Sequence, residues 1–378
     1  MTIRLLALAV LALAACETGS TPNSAVTPPL STAPAQATIG PGEGVLDVIT
    51  WEGYTEDAWV KPFTQQTGCL VRPRYVASSA EMVQLMSDGG GGAWDLVSPP
   101  GDVSLDLVYS GEVRPINTAL VPAWKDFPLL FRNAAYNTVG ATHYGISLQW
   151  SPNTLLYNTR KVTPAPSSWS VLYDASRKGQ VTVPDNPMQI ADAALYLGAK
   201  NPFELSRKQF DAAVALLTQQ RPLIKRYWPI ASDEIAMFQD GSVVAGSGGP
   251  YQAHQLQSIG IPVAETVPSE GATAWGDSWM LAAKAPHPNC AYRWIEYASE
   301  PQVQAEQALY FGETPVNPGA CAAMDALQKG SCARYHADAS ATYMSAISLW
   351  KTPVATCGAA SCVPYRDWVT AWDALKNQ

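Results

Sequence analysis

The chain has 378 residues, 47% hydrophobic and 15% charged, with a formal net charge of −8 at pH 7. This composition describes a globular body rather than a disordered chain, and the acidic balance argues against a nucleic-acid partner, because phosphate contacts draw on Lys and Arg. About 335 residues follow the N-terminal region, more than a single hydrophobic core usually organises, so two lobes are expected.

At the N-terminus, Arg4 precedes an apolar run from Leu5 to Ala15. A basic start, a short apolar core and small residues before a cut site make an export signal. The run falls short of the ~20 apolar residues of a spanning helix. Leu13-Ala14-Ala15-Cys16 resembles a bacterial lipoprotein lipobox. That implies loss of residues 1–15 and a lipid on Cys16; an ordinary secretory signal is the alternative. Either way the mature chain works outside the cytoplasm, and the lipoprotein reading places it on the outer face of the bacterial cytoplasmic membrane. Residues 16–43 are nearly all Thr, Pro, Ser, Ala and Gly. Such a segment buries too little to offset the entropy of ordering it, so it is expected to be a flexible tether, reaching on the order of 30 Å.

After Gly44 the pattern alternates strand and helix. Val45 to Trp51 is β-rich, and Thr55 suits an N-cap ahead of Glu56 and Asp57. Leu70 to Val76 is extended, and Ser78-Ser79-Ala80-Glu81 fits a capping box. Gly89 to Gly92 breaks the chain before a buried strand at Trp94-Asp95-Leu96-Val97, with a helix following to Gly111. A new unit starts near Trp150. It includes an extended stretch, Asn153 to Asn158, a Ser206/Gln209 capping box and a helix ending at Gly241. Pro301 opens a helix to Tyr310, and Trp368, Trp372 and Leu375 share one face of a terminal helix. This rhythm predicts α/β lobes, each with a mainly parallel sheet and helices on both faces, and a ligand where strand ends meet the crevice.

Besides Cys16 there are six cysteines: Cys69, Cys290, Cys321, Cys332, Cys357 and Cys362. An even number in an exported chain reads as three disulfides, with fifteen connectivities open. Close spacing favours Cys357–Cys362 and Cys321–Cys332, which leaves Cys69 with Cys290. No Cys-x-x-Cys or His/Tyr/Asp cluster with metal-ligand spacing is present, so no metal or cofactor is expected.

Several segments in order resemble one family. They are Trp51-Glu52-Gly53-Tyr54, Phe63 with Thr67-Gly68, Trp94 through Pro99, Tyr144-Gly145-Ile146, Ser168-Trp169 with Leu172, Glu270-Gly271, Trp275-Gly276-Asp277-Ser278 and Phe311 through Asn317. Together they are similar to the spermidine/putrescine-binding components of bacterial ABC importers. The resemblance implies a two-lobed, periplasmic-binding-protein-like fold (type II), with one lobe at 44–148 plus 277–320 and the other at 149–276 plus 321–378. A Cys69–Cys290 bond would then lie within one lobe. It further implies a monomer that closes over a small amine and delivers it to an ABC permease, touching the membrane only through its lipid, with no catalytic residue. In the family, aromatic walls sandwich the methylene chain and carboxylates take the ammonium groups. Trp51 and Tyr54 match on one side, Trp275 and Asp277 on the other, with Asp277 the first choice of ammonium partner.

Further candidates are Ser98 near a strand end and Trp150 at the lobe crossing. Where polyamine binders place additional acids, Asn186 and Gln189 occur instead, and Glu313 replaces a usual aromatic. The pocket could thus read a different amine, or a sugar or other neutral polar solute. A serine hydrolase is the rival from another class: Ala245-Gly246-Ser247-Gly248-Gly249 loosely resembles a nucleophile elbow, with Asp277 and His287 or His336 as partners.

Overall fold

The computed structural model describes residue 30 and residues 34–89 and 92–377. The expected export signal and lipid-bearing Cys16 lie outside the described residues, as do Gly90 and Gly91 and most of the expected tether. The tether's last part is not loose. Gln36 Nε2 donates to Asn289 Oδ1 at 2.7 Å, and the Glu43 carboxylate accepts from the backbone N–H groups of Asn289 and Cys290 at 3.0 and 2.9 Å. Those two N–H groups open the helix Pro288–Ala298 and have no partner within it, so an acidic side chain docks there readily.

Two sheets form two lobes. The seven-stranded sheet runs in the order Thr314–Pro315, Gly145–Pro152, Ala272–Leu281, Leu96–Val97, Val45–Thr50, Leu70–Tyr75, with Ile347–Leu349 beside Ala272–Leu281. Its first three strands in sequence are parallel, but Ala272–Leu281 runs antiparallel to both Leu96–Val97 and Gly145–Pro152. The sheet is therefore mixed rather than mainly parallel, because Ala272–Leu281 re-enters it from the second lobe. The five-stranded sheet has the order Val263–Thr266, Thr154–Asn158, Ala245–Gly248, Val181–Pro184, Ile224–Trp228.

The chain crosses between sheets at Asn153, between Thr266 and Ala272, and again after Leu349. The first two crossings are tied together: Asn153 N donates to Thr273 O at 2.8 Å and Asn153 Nδ2 to Thr273 Oγ1 at 2.9 Å. The third corrects the expected division. Residues 321–349 were expected with the second lobe, yet Ala320–Leu327 packs on Pro301–Phe311 and Ile347–Leu349 pairs with the first sheet. After Leu349 the chain reaches the second lobe, where Val363 N donates to Leu205 O at 3.0 Å and, in the terminal helix Tyr365–Lys376, Trp368 and Trp372 bury against Phe210 and its neighbours.

Local signals are mostly realised. Ser206 and Gln209 form both bonds of a capping box. Ser78 caps through the Glu81 N–H, while the Glu81 carboxylate takes the Ala77 N–H and pairs with Arg74. Thr55 is not the N-cap: the helix Asp57–Thr67 starts after Glu56, and the Thr55 hydroxyl meets Tyr75 Oη at 3.1 Å. Three disulfides join Cys69–Cys290, Cys321–Cys332 and Cys357–Cys362. No helix among the described residues is long and apolar enough to cross a membrane.

Candidate functional site

The turn after the first strand places two aromatic side chains at the strand's carboxyl end. Gly53 has φ +98°, and the Phe311 ring occupies the place of a Cβ, 2.4 Å from that position. Both the left-handed backbone and the close approach require glycine there. With the turn fixed, Tyr54 packs edge-on to Phe311 at 4.9 Å and donates its hydroxyl to Asp277 Oδ2 at 2.7 Å.

Asp277 itself is aimed by an irregularity in its strand. Pairing with Gly145–Pro152 slips between Gly276 and Ser278, leaving Asp277 out of that ladder. A bulge of this kind re-aims one side chain and bends the strand. Pro100 bridges to Asp277 from the other side, and Ser278 N donates to Pro99 O at 3.2 Å, which fixes the loop after Leu96–Val97 against the bulge.

Glu313 follows the left-handed Gly312 that ends the helix Pro301–Phe311. In the amide orientation its neighbours demand, Gln149 Nε2 donates to Glu313 Oε2 at 3.0 Å.

These elements enclose a cavity of about 280 Å³ between the lobes, with Trp51, Tyr54, Asn186, Trp275, Asp277 and Glu313 in its lining. The cavity also takes in Phe311 and Trp350, together with Ser79 and Pro100, none of them among the sequence candidates. Among the described residues that line it there are two carboxylates and no Lys or Arg.

Burial pushes the Asp277 carboxyl up to about 7, against the pull of its Tyr54 hydrogen bond and with help from the negative charge of Asp102. Burial first, and then the charge of Asp277, hold Glu313 well above the usual carboxylate range. Two acids that resist ionisation side by side make a site that a cation would relieve.

Three candidates lie elsewhere. Ser98 is fully buried and shares a 2.8 Å hydrogen bond with Thr50 Oγ1, joining two strand ends inside the lobe. Trp150 packs on Phe131 at 5.5 Å and faces an apolar hollow on the other side of its sheet. Gln189 is buried in the first turn of its helix, where Nε2 donates to Asp192 Oδ2 at 2.7 Å. Asn186 does reach the cavity, while its Oδ1 accepts from Met188 N at 2.8 Å.

Residues 58–331 match the family described as bacterial extracellular solute-binding protein. The chain belongs to that family. It is 25% identical over 287 residues to the putrescine/agmatine-binding protein of Pseudomonas aeruginosa, covering 71% of this chain and 77% of that one. Among solved structures, the TpPotD lipoprotein of Treponema pallidum superposes with a TM-score of 0.73 at 19% identity, covering 88% of this chain and all of the other. The binding protein MotA of A. tumefaciens, solved with glucopine, superposes with a TM-score of 0.65 at 16% identity, over 88% and 99% of the two chains.

Proposed function

We propose that this chain is an extracytoplasmic binding lipoprotein that captures a polyamine or related small amine and hands it to an ABC permease, anchored through a lipid on Cys16 and performing no chemistry itself. The observation that carries the reading is the pair of carboxylates, Asp277 and Glu313, in an aromatic-walled cavity whose lining holds no basic residue. An ammonium over an indole face gains ~0.5–2 kcal/mol as it loses water, and its burial becomes tolerable only beside an anion. The Trp51 and Trp275 walls with Asp277 and Glu313 offer both. The names of curated relatives that bind putrescine and agmatine support the same class. Closure of the lobes over the guest would present the permease with a surface the open form lacks, a difference in affinity between two states. Isothermal titration with putrescine and spermidine at pH 7.5 tests it; saturable binding of at least one amine is expected, and heat from neither would reject it.

A neutral polar solute is the second reading, favoured by Asn186 in the cavity lining in place of an acid. Salt separates the two, because screening weakens attraction of a cation to a carboxylate and leaves sugar contacts almost untouched. The hydrolase reading finds little support. Ser247 Oγ is buried with no hydrogen-bond partner, and His287 Nδ1 is engaged by Asp95 Oδ2 at 2.9 Å. An organophosphate probe is expected to leave Ser247 unlabelled.

The carboxyl group of Asp277 makes amine affinity depend on pH. In the unliganded fold its pKa, about 7, lies above the ordinary 3.8, so the folded chain holds more protons between those values. Unliganded stability from this group therefore falls as pH rises from about 4 to 7. Amine binding has the opposite slope, because the ammonium requires the ionised form. Between pH 7.5 and 5.5 the affinity is expected to drop roughly 20-fold from Asp277 alone. A flat affinity over that range would contradict the role given to this carboxylate.

A further inference from the structure

We propose that the cleft continues past Glu313 into a second chamber that takes the far cationic end of a longer amine, with Glu234 beneath its floor as the counter-charge. This rests on the reading that the guest is an amine. A cavity of about 360 Å³ shares Trp275, Phe311 and Glu313 with the first and adds Trp228, Tyr251 and Gln252. Indole and phenol faces surrounding an acid are the surroundings in which cations lose water most cheaply.

Glu234 is the unexplained part of this chamber. It stands in the first turn of the helix Ala231–Gln239, fully buried, and neither carboxyl oxygen has a hydrogen-bond partner. The Gln252 amide lies near without meeting hydrogen-bond geometry, and no charged neighbour from the flanking strands or from the helix Pro250–Ser258 acts on it. Its oxygens rest against two bare backbone positions. A Cβ on Gly246 would come within 2.5 Å of Glu234 Oε1, and one on Gly248 within 2.6 Å of Oε2. Gly248 and Gln252 both line the chamber, so the orphaned carboxyl sits one residue layer beneath its surface.

A buried acid without partners is costly to keep in a core whose only requirement is packing. Burial also holds this carboxyl well above the usual range, which favours its protonated form, and a cation in the chamber would favour release of that proton. Asp277, Glu313 and Glu234 then give one acid in the first chamber, one at the partition and one under the second. A diamine would fill the first chamber, and a triamine would engage all three.

The test is isothermal titration of wild type and Glu234→Gln with putrescine and with spermidine, each in two buffers of different ionisation enthalpy so that released protons can be counted. Gln keeps the shape of the neutral carboxyl, so the variant should fold. Expected are a putrescine affinity within twofold of wild type, a spermidine affinity at least tenfold weaker, and one proton fewer released by spermidine. Equal spermidine affinity and equal proton release in both proteins would overturn the proposal and leave Glu234 as a packing residue. That result differs from a wild type that binds neither amine, which removes the amine reading and the chamber with it. Should Glu234→Gln fail to fold, Trp228→Ala on the chamber wall takes its place, with the same selective loss for spermidine expected and an unchanged ratio of the two amines overturning the assignment.

Discussion

Asp277→Asn is expected to weaken amine binding by ~2–5 kcal/mol, a loss of roughly 30-fold to several thousandfold. The carboxylate is buried, held by Tyr54 Oη at 2.7 Å, and set at a bulge that takes Asp277 out of the pairing with Gly145–Pro152. Removing its charge leaves an ammonium facing Glu313 alone in a cavity without other anions. Asn can still accept from Tyr54, so the fold should persist. The unliganded variant should even gain stability above pH 7, because the ionised Asp277 is the form that burial penalises there. Trimming Trp51 or Trp275 removes a cation–π contact of ~0.5–2 kcal/mol and should cost less. Isothermal titration of the three variants gives the ranking; an Asp277→Asn protein with undiminished affinity would show that this carboxylate does not meet the ligand.

The largest expected effect on stability comes from the bond between Cys69 and Cys290. It closes a loop of 221 residues, against 11 for Cys321–Cys332 and 5 for Cys357–Cys362. In the chain-entropy account the stabilisation grows with the logarithm of loop length, giving about 5 kcal/mol for the long loop and about 2 kcal/mol for the shortest. Paired Cys→Ala replacements should follow that order in chemical denaturation. The Cys69/Cys290 double variant should still bind amine where it remains folded, since no cysteine lines the cavity. A terminal-loop variant that is less stable than the Cys69/Cys290 variant would contradict the ranking.

What the sequence makes legible here is local. Trp51-Glu52-Gly53-Tyr54 carries its own turn signal, because the left-handed backbone at Gly53 needs glycine there. Trp275 and Asp277 sit two apart on one strand, where alternation alone suggests a shared face. The misplaced candidates depend instead on facing. Trp150 and Gln149 are neighbours on a strand buried along its whole length, so hydrophobicity could not say which one turns toward the site; Gln149 reaches Glu313, and Trp150 goes the other way. Ser98 is drawn inward by the Thr50 hydroxyl on the adjacent parallel strand, and Gln189 by Asp192 one turn along its helix. Phe311 and Trp350 come to the cavity from segments far along the chain, and Trp350 is placed by the pairing of Ile347–Leu349 with Ala272–Leu281, which Trp350 N continues by donating to Ala274 O at 2.7 Å. Nothing local in 321–349 announces that it returns to the first sheet, because pairing with Ala272–Leu281 is a long-range choice.

The most direct test of the account is a crystal structure grown with saturating spermidine. One terminal ammonium is expected within hydrogen-bonding distance of the Asp277 carboxylate, its methylene chain lying between Trp51 and Trp275. A cavity that stays empty under saturating amine, or an amine bound away from Asp277, would contradict it.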